Sequence, residues 1–300
     1  MLVILSIVVI FQASSGPSQS AQTAASEVGG GQPSSPGARG STVTGTAGAV
    51  APATSSTPPG AVPDLTKPDA DPAASVAAGA LPAGADFVAA GSGTWHVVSG
   101  TTPAVGAGEQ HSTYTVEVED GLQTPEQDQA FAAAIDATLA DPRSWIGGGQ
   151  VSLARIDSGD PDFRISLTSQ LTIRSPDQCG WEVPLEASCF NGGVGRVFIN
   201  DARWVRGAMS YHGDIAAYRT YAVNHEVGHA LGKKHEPCPA QGAPAPVMMQ
   251  QSWSTSDDDL SVLDPQTIPH DGNVCVANPY PFPDAAAVPS ATVAPSAAAG

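Results

Sequence analysis

His225, Glu226, His229, Gly232 and His235 stand in the order H-E-x-x-H-x-x-G-x-x-H. On a helix, residues four apart share a face and lie one turn apart. His225 and His229 can therefore aim two imidazoles at one zinc ion. Glu226 sits beside the first of them, where a carboxylate can take a proton from water activated by the metal. Gly232 falls where the helix should end, and glycine tolerates the left-handed turn that stops a helix. The chain can then swing back and offer His235 as a third ligand. Three protein ligands leave the fourth position for water, the pattern of a catalytic rather than a structural zinc. The bland alternative is a polar helix with scattered surface histidines. Three of the chain's seven histidines within eleven residues weigh against it.

Over 224–238 the segment resembles the metzincin superfamily of zinc metallopeptidases, and the likeness extends over roughly 94–284. The run His235-Glu236-Pro237-Cys238 is also similar to a family of exported bacterial zincin-like domains of undefined function. The metzincin resemblance implies Zn2+, peptide-bond hydrolysis with Glu226 as general base, and a methionine turn under the metal. Pro246-Val247-Met248-Met249 fits that turn, with Met248 assigned to it and Met249 as the alternative. It further implies an α+β fold: a twisted mixed sheet, an active-site helix and a second helix on one face, and an irregular C-terminal part. A sheet-edge strand that pairs with extended substrate belongs to the same picture, with 192–197 as its candidate. Many metzincins carry a tyrosine soon after the methionine. Here Gln250, Gln251, Ser252 and Trp253 follow, so a donor for the oxyanion besides zinc is not identified. Glu236 either orients a ligand or is a solvated glutamate.

The elements that must carry these residues are partly readable. Asp214 caps a long helix running to about Gly232, with Ile215, Ala222, His225 and His229 on one face. Val223, Val227, Ala230 and Leu231 form a second apolar stripe, which predicts a buried helix. Thr124-Pro125-Glu126-Gln127 reads as a capping box with proline in the first turn. Phe131, Ile135 and Leu139 recur on one face behind it, and Asp141-Pro142 ends that helix. Strands are expected at 94–98, 114–118, 151–156, 163–167 and 194–199, with 170–173 extending the fourth or starting another.

Composition sets the boundaries. Residues 1–15 open with a nearly all-apolar run, too short to span a bilayer as a full helix and like the core of a secretory signal. Between Gln12 and Ala80 the sole Leu, Ile, Met, Phe, Trp or Tyr is Leu65, so 16–80 reads as a disordered Ala/Pro/Gly/Ser linker. If the first segment is kept as a membrane tether, that linker holds the domain out by about 45–50 Å. Residues 81–284 suffice for one core, and 285–300 repeat the Ala/Pro/Ser material. Net charge is −17, with 25 acidic against 10 basic residues in 81–284, which excludes the basic footprint of a nucleic-acid binder. Cys179, Cys189, Cys238 and Cys275 allow three pairings and fit an exported protein. The favoured pairing is Cys179–Cys189, close in sequence, with Cys238–Cys275.

Smaller features carry their own alternatives. Cys179 within Ser175–Gly180 is either a latency motif or half of a disulfide. Asp257-Asp258-Asp259 is a calcium ligand or a solvated loop. His212 is surface or a substrate-side group. The reading that follows is a secreted or extracytoplasmic, monomeric zinc endopeptidase acting on a peptide or protein substrate outside the cell. The other reading is a cell-surface binding module that keeps zinc and cleaves nothing.

Overall fold

The computed structural model describes residues 79–180 and 186–285. The apolar segment 1–15, nearly all of the linker, Trp181 and the tail from 286 lie outside the described residues. Seven strands form one mixed sheet: β1 (Trp95–Val97), β2 (Thr102–Val105), β3 (Gln110–Glu119), β4 (Val151–Arg155), β5 (Phe163–Thr168), β6 (Cys189–Asn191) and β7 (Arg196–Asn200). Their order is β2-β4-β3-β5-β7-β6, with β1 paired to the end of β3. The four central strands are mutually parallel, and β1, β2 and β6 run antiparallel to their neighbours.

β3 shows why the sheet is covered on both sides. Tyr114, Val116 and Val118 enter the main apolar core, while Thr115, Glu117 and Glu119 are buried on the opposite face. A buried carboxylate must be paired. Glu117 Oε2 accepts from Arg196 at 2.5 Å, and Glu119 accepts from the Ser169 and Gly93 N–H groups at 2.7 and 2.8 Å.

Helix α1 (Pro125–Ala140) starts as expected, with Gln127 Oε1 accepting the Thr124 N–H at 2.9 Å. Phe131, Ile135 and Leu139 are buried at 2, 0 and 0% exposure. They pack between the sheet and the long helix that carries the histidines, so both helices share one face. Two short helices follow in the chain. One is α2 (Gln170–Ile173). The other is α3 (Asp201–Arg206), where Asn200 Oδ1 caps the Ala202 N–H at 2.9 Å.

The long helix is α4 (Ile215–Ala230), capped by Asp214 Oδ1 on the Ala217 N–H at 2.9 Å. Every residue from Tyr221 to Gly228 is buried, as the double apolar stripe implied. After it the chain is irregular apart from α5 (Asp257–Ser261). That part has its own small core around Met249, Trp253, Leu260 and Ile268. Disulfides join Cys179 to Cys189 and Cys238 to Cys275, the favoured pairing, and no described cysteine is free. Cys179 is therefore not a latency thiol. Among the described residues no helix is long and apolar enough to cross a membrane.

Three expectations are corrected. Residues 170–173 form a helical turn, because Ser169 ends β5 and its N–H is taken by Glu119 Oε2. Residues 192–197 are not the sheet edge: 192–195 form a turn, β7 is internal, and the edge strand is β6. Asp257–Asp259 is the first turn of α5 rather than a loop. Ser256 caps it, and Asp257, fully buried, accepts the Cys238 N–H at 2.9 Å.

Asp201 at the start of α3 is 3% exposed, and burial pushes its carboxyl up to about 6. A raised acid favours the folded state below its unfolded pKa, and that advantage is lost as pH rises through the folded value. Asp201→Asn should therefore be more stable than the parent at pH 8, by on the order of 2–3 kcal/mol, with the gain vanishing below about pH 4. Urea unfolding at the two pH values measures this. An equal difference at both would refute it.

Candidate metal centre and cleft

Helix α4 places His225 and His229 one turn apart, with ring centroids 4.9 Å from each other. Gly232, at φ +83°, turns the chain, and the Lys233 N–H returns to the Gly228 carbonyl at 2.9 Å. The third ring then stacks 5.5 Å from His225 and lies 4.8 Å from His229. Each residue of the trio offers one ligand atom, all within 4.8 Å of one another. Among the described residues this is the one group of three or more His, Cys, Asp or Glu that could hold a metal ion.

The outer ring atoms fix which nitrogen is free. A carbonyl oxygen can only accept, so a ring nitrogen facing one must carry the hydrogen. His225 Nδ1 donates to the Val247 carbonyl at 2.8 Å, and His229 Nδ1 donates to the Lys233 carbonyl at 3.0 Å. Both rings thus keep a bare Nε2, the form a metal ligand needs. Burial holds His225 well below the ordinary histidine range and lowers His229. It pushes His235 down to about 4, so all three are neutral at neutral pH.

Glu226 is 5% exposed, and its Oε2 is enclosed with no hydrogen-bond partner. Burial pushes its carboxyl up to about 8. A cation among the histidines would reverse that and keep it ionised. Glu226 and the three histidines line one cleft of about 340 Å³, together with Ala187 to Phe190 at the edge strand and with Tyr221, Gln250, Ser252 and Trp253.

The Met248 position is set by a glycine. A Cβ on Gly228, between His225 and His229, would come within 2.5 Å of Met248 Sδ and 2.6 Å of Trp145 Cζ2. Met248 therefore packs on α4, whereas Met249 belongs to the C-terminal core. The turn's three carbonyls each take a donor. Val247 receives His225 Nδ1, Met248 receives the Glu236 N–H at 3.2 Å, and Met249 receives the Tyr221 hydroxyl at 2.9 Å.

Other flagged residues lie elsewhere. Glu236 is exposed and contributes its N–H rather than its carboxylate. His212, at φ 51°, borders a separate groove with Val274 and Val276, not the histidine cleft. Cys189 lines the cleft as half of a disulfide. Sequence reasoning passed over Tyr211, Tyr218 and Tyr221. Their hydroxyls hold Gln251 Oε1 (2.9 Å), Ser252 Oγ (3.0 Å) and the Met249 carbonyl. Aromatic residues at helical spacing just before the first histidine were the available signal. Asn224 was also missed; its side chain ties α4 to Ser144 at 2.7 Å and to the Pro279 carbonyl at 2.9 Å.

A family model described as protein of unknown function (DUF3152) matches residues 81–283. No curated protein matches the chain.

Gly228→Ala should lower stability by about 1–3 kcal/mol, since Trp145 is pinned through its Nε1 to the Asn224 carbonyl and cannot yield freely. Metal affinity should fall with it, because Met248 shares its turn with the carbonyl that orients His225. Urea unfolding and a chelator competition check both. A variant as stable and as tightly metallated as the parent would contradict this packing.

Proposed function

We propose that this chain, which belongs to the DUF3152 family of proteins of unknown function, is an exported zinc-dependent endopeptidase of metzincin-like type. The observation that carries the reading is one cleft that gathers three neutral imidazoles and a buried, unpartnered carboxylate. A structural zinc would be enclosed by four ligands and would need no such acid. Two of the three donors stand at the spacing of the ion, and all three lie within 4.8 Å of one another. His229 Nε2 and His235 Nε2 are 3.2 Å apart. Tetrahedral zinc with Zn–N bonds of about 2.0–2.1 Å separates its ligand nitrogens by about 3.3 Å.

His225, His229 and His235 would hold the ion. Zinc, when bound, supplies Lewis acidity, polarising a carbonyl oxygen and making water acidic near neutral pH. Glu226 accepts the proton of the attacking water and delivers it to the leaving amine nitrogen. The carboxylate is oriented by the helix and kept from bulk water by burial, and it spends no hydrogen bond on the protein.

Substrate alignment falls to β6. It is the last strand of the sheet, bonded only to β7 among the described residues, through Cys189↔Phe198, Phe190↔Val197 and Asn191↔Arg196. Its outer backbone groups can add an extended peptide as a further strand beside the histidines. The two disulfides fit an oxidising compartment, and so support export.

Elemental analysis of the purified protein should find about one zinc per chain. Glu226→Gln should keep that zinc and lose peptide hydrolysis by about 10²–10⁴-fold. Peptide-library digestion at neutral pH reads the loss. Zinc bound with no cleavage by the parent protein would move the reading to a binding module, and turnover unchanged in the variant would remove Glu226 from its role.

A further inference from the structure

Two residues that line the histidine cleft each keep a buried side-chain oxygen without a hydrogen-bond partner among the described residues: Glu226 Oε2 and Gln250 Oε1. An enclosed amide oxygen without a donor bears its desolvation cost with nothing to offset it. Such a group calls for an account of its own.

Gln250 has a neighbour of the same type for comparison. Gln251 is fully buried and uses its whole amide on the fold. Nε2 donates to the Pro246 and Asn278 carbonyls at 3.1 and 2.9 Å, and Oε1 accepts from the Tyr211 hydroxyl and the Asn278 N–H, both at 2.9 Å. The Gln250 amide makes no hydrogen bond to any described residue at either end, and it lines the cleft.

The remaining polar side chains around the histidines are engaged. The Tyr221 hydroxyl donates to the Met249 carbonyl, and Ser252 Oγ is bonded to the Tyr218 hydroxyl. Trp253 Nε1 donates to the Glu186 carbonyl at 3.2 Å, and Ser188 Oγ accepts the Asn200 N–H at 3.1 Å, which leaves Ser188 a single hydroxyl hydrogen. Gln250 alone brings a two-hydrogen donor with no commitment to the protein.

We propose that Gln250 is the cleft's carbonyl-oxygen donor: Nε2 hydrogen-bonds the oxygen of the peptide carbonyl under attack and follows it as negative charge develops there. The proposal deepens the peptidase reading, on which its kinetic arm rests. The backbone that carries Gln250 is tied down: its carbonyl accepts the Trp253 N–H at 3.0 Å, and the Met249 carbonyl before it accepts the Tyr221 hydroxyl at 2.9 Å, while the side-chain amide stays uncommitted. An amide donor that meets a developing oxyanion is worth about 10²–10³ in kcat.

The test uses the full chain loaded with zinc, in parent and Gln250→Met forms. Zinc content and urea unfolding come first. A peptide substrate is then followed for kcat and KM, and a phosphinic peptide, a tetrahedral mimic of the attacked peptide bond, is titrated calorimetrically. Gln250→Glu, close to isosteric and without the donor when ionised, replaces Gln250→Met if that variant does not fold.

The expected result is unchanged zinc, kcat down by about 10²-fold with KM within a few-fold, and phosphinic-peptide affinity down by at least tenfold. Cleavage by the parent with kcat and phosphinic affinity both within twofold in the variant overturns the donor role and leaves the peptidase standing. A parent that cleaves nothing yet binds the phosphinic peptide through Gln250 upholds the donor and removes the hydrolase. A parent that neither cleaves nor binds it, or that binds it equally without the Gln250 amide, overturns the donor role.

Discussion

Three successive carbonyls, Val247, Met248 and Met249, bind the histidine-bearing segment to the rest of the protein. One takes the His225 imidazole, the next the N–H beside the third histidine, the last a tyrosine hydroxyl from the same helix. Each bond satisfies a carbonyl that burial would otherwise leave costly. Together they make the helix, the chain after Gly232 and the methionine turn one rigid unit. Gly228 makes this contact possible, since any larger side chain would meet the Met248 sulfur.

The tyrosines extend the same logic. Tyr211, Tyr218 and Tyr221 lie 5.6–5.9 Å apart in ring centroid, and Tyr221 sits 5.2 Å from His225. Their apolar bodies fill the core under α4, and their hydroxyls reach the backbone and side chains of 249–252. A family resemblance places one tyrosine after the methionine. Here the tyrosines stand on the helix side and grip the segment in which that residue would lie. Burial raises their phenols well above the usual range or upward, so they serve as neutral hydrogen-bonding groups.

The parts of the site that sequence made legible are those a single local element determines. Spacing of four residues fixed the shared face of His225 and His229, and a glycine at 232 foretold the turn that brings His235 back. The capping box at Thr124 and the face of Phe131, Ile135 and Leu139 were local in the same sense. What sequence did not reveal depends on distant partners. Met248 and Met249 are equivalent until Gly228 and Trp145 choose between them. The edge strand has three residues, too few for a periodic signal, and is held by Cys179 and by pairing with β7. Gln170–Ile173 has strand-like composition, but Glu119, fifty residues away, draws off the Ser169 N–H. The Asp257 run was a lost opportunity, since Ser256 three residues before Asp259 is a readable helix start.

The irregular C-terminal part has a physical reason to exist. Two histidines on a helix turn are positioned by the helix itself, but a third ligand beyond its end is only as fixed as the loop that bears it. His235 is followed at once by Glu236, bonded to Met248, and then by Cys238. Cys238 is anchored twice: its N–H goes to buried Asp257 and its sulfur to Cys275. Cys275 belongs to a stretch bonded along its length, through the Cys275 N–H to the Thr255 carbonyl and the Val276 N–H to the Ala243 carbonyl, each at 2.8 Å. The loop's freedom is thus removed by the fold itself, and any ion the three histidines took would meet little ordering entropy at binding. Each anchor lies C-terminal to the ligand it steadies, so a chain ending soon after His235 would keep the eleven-residue motif and lose the geometry that gives it meaning.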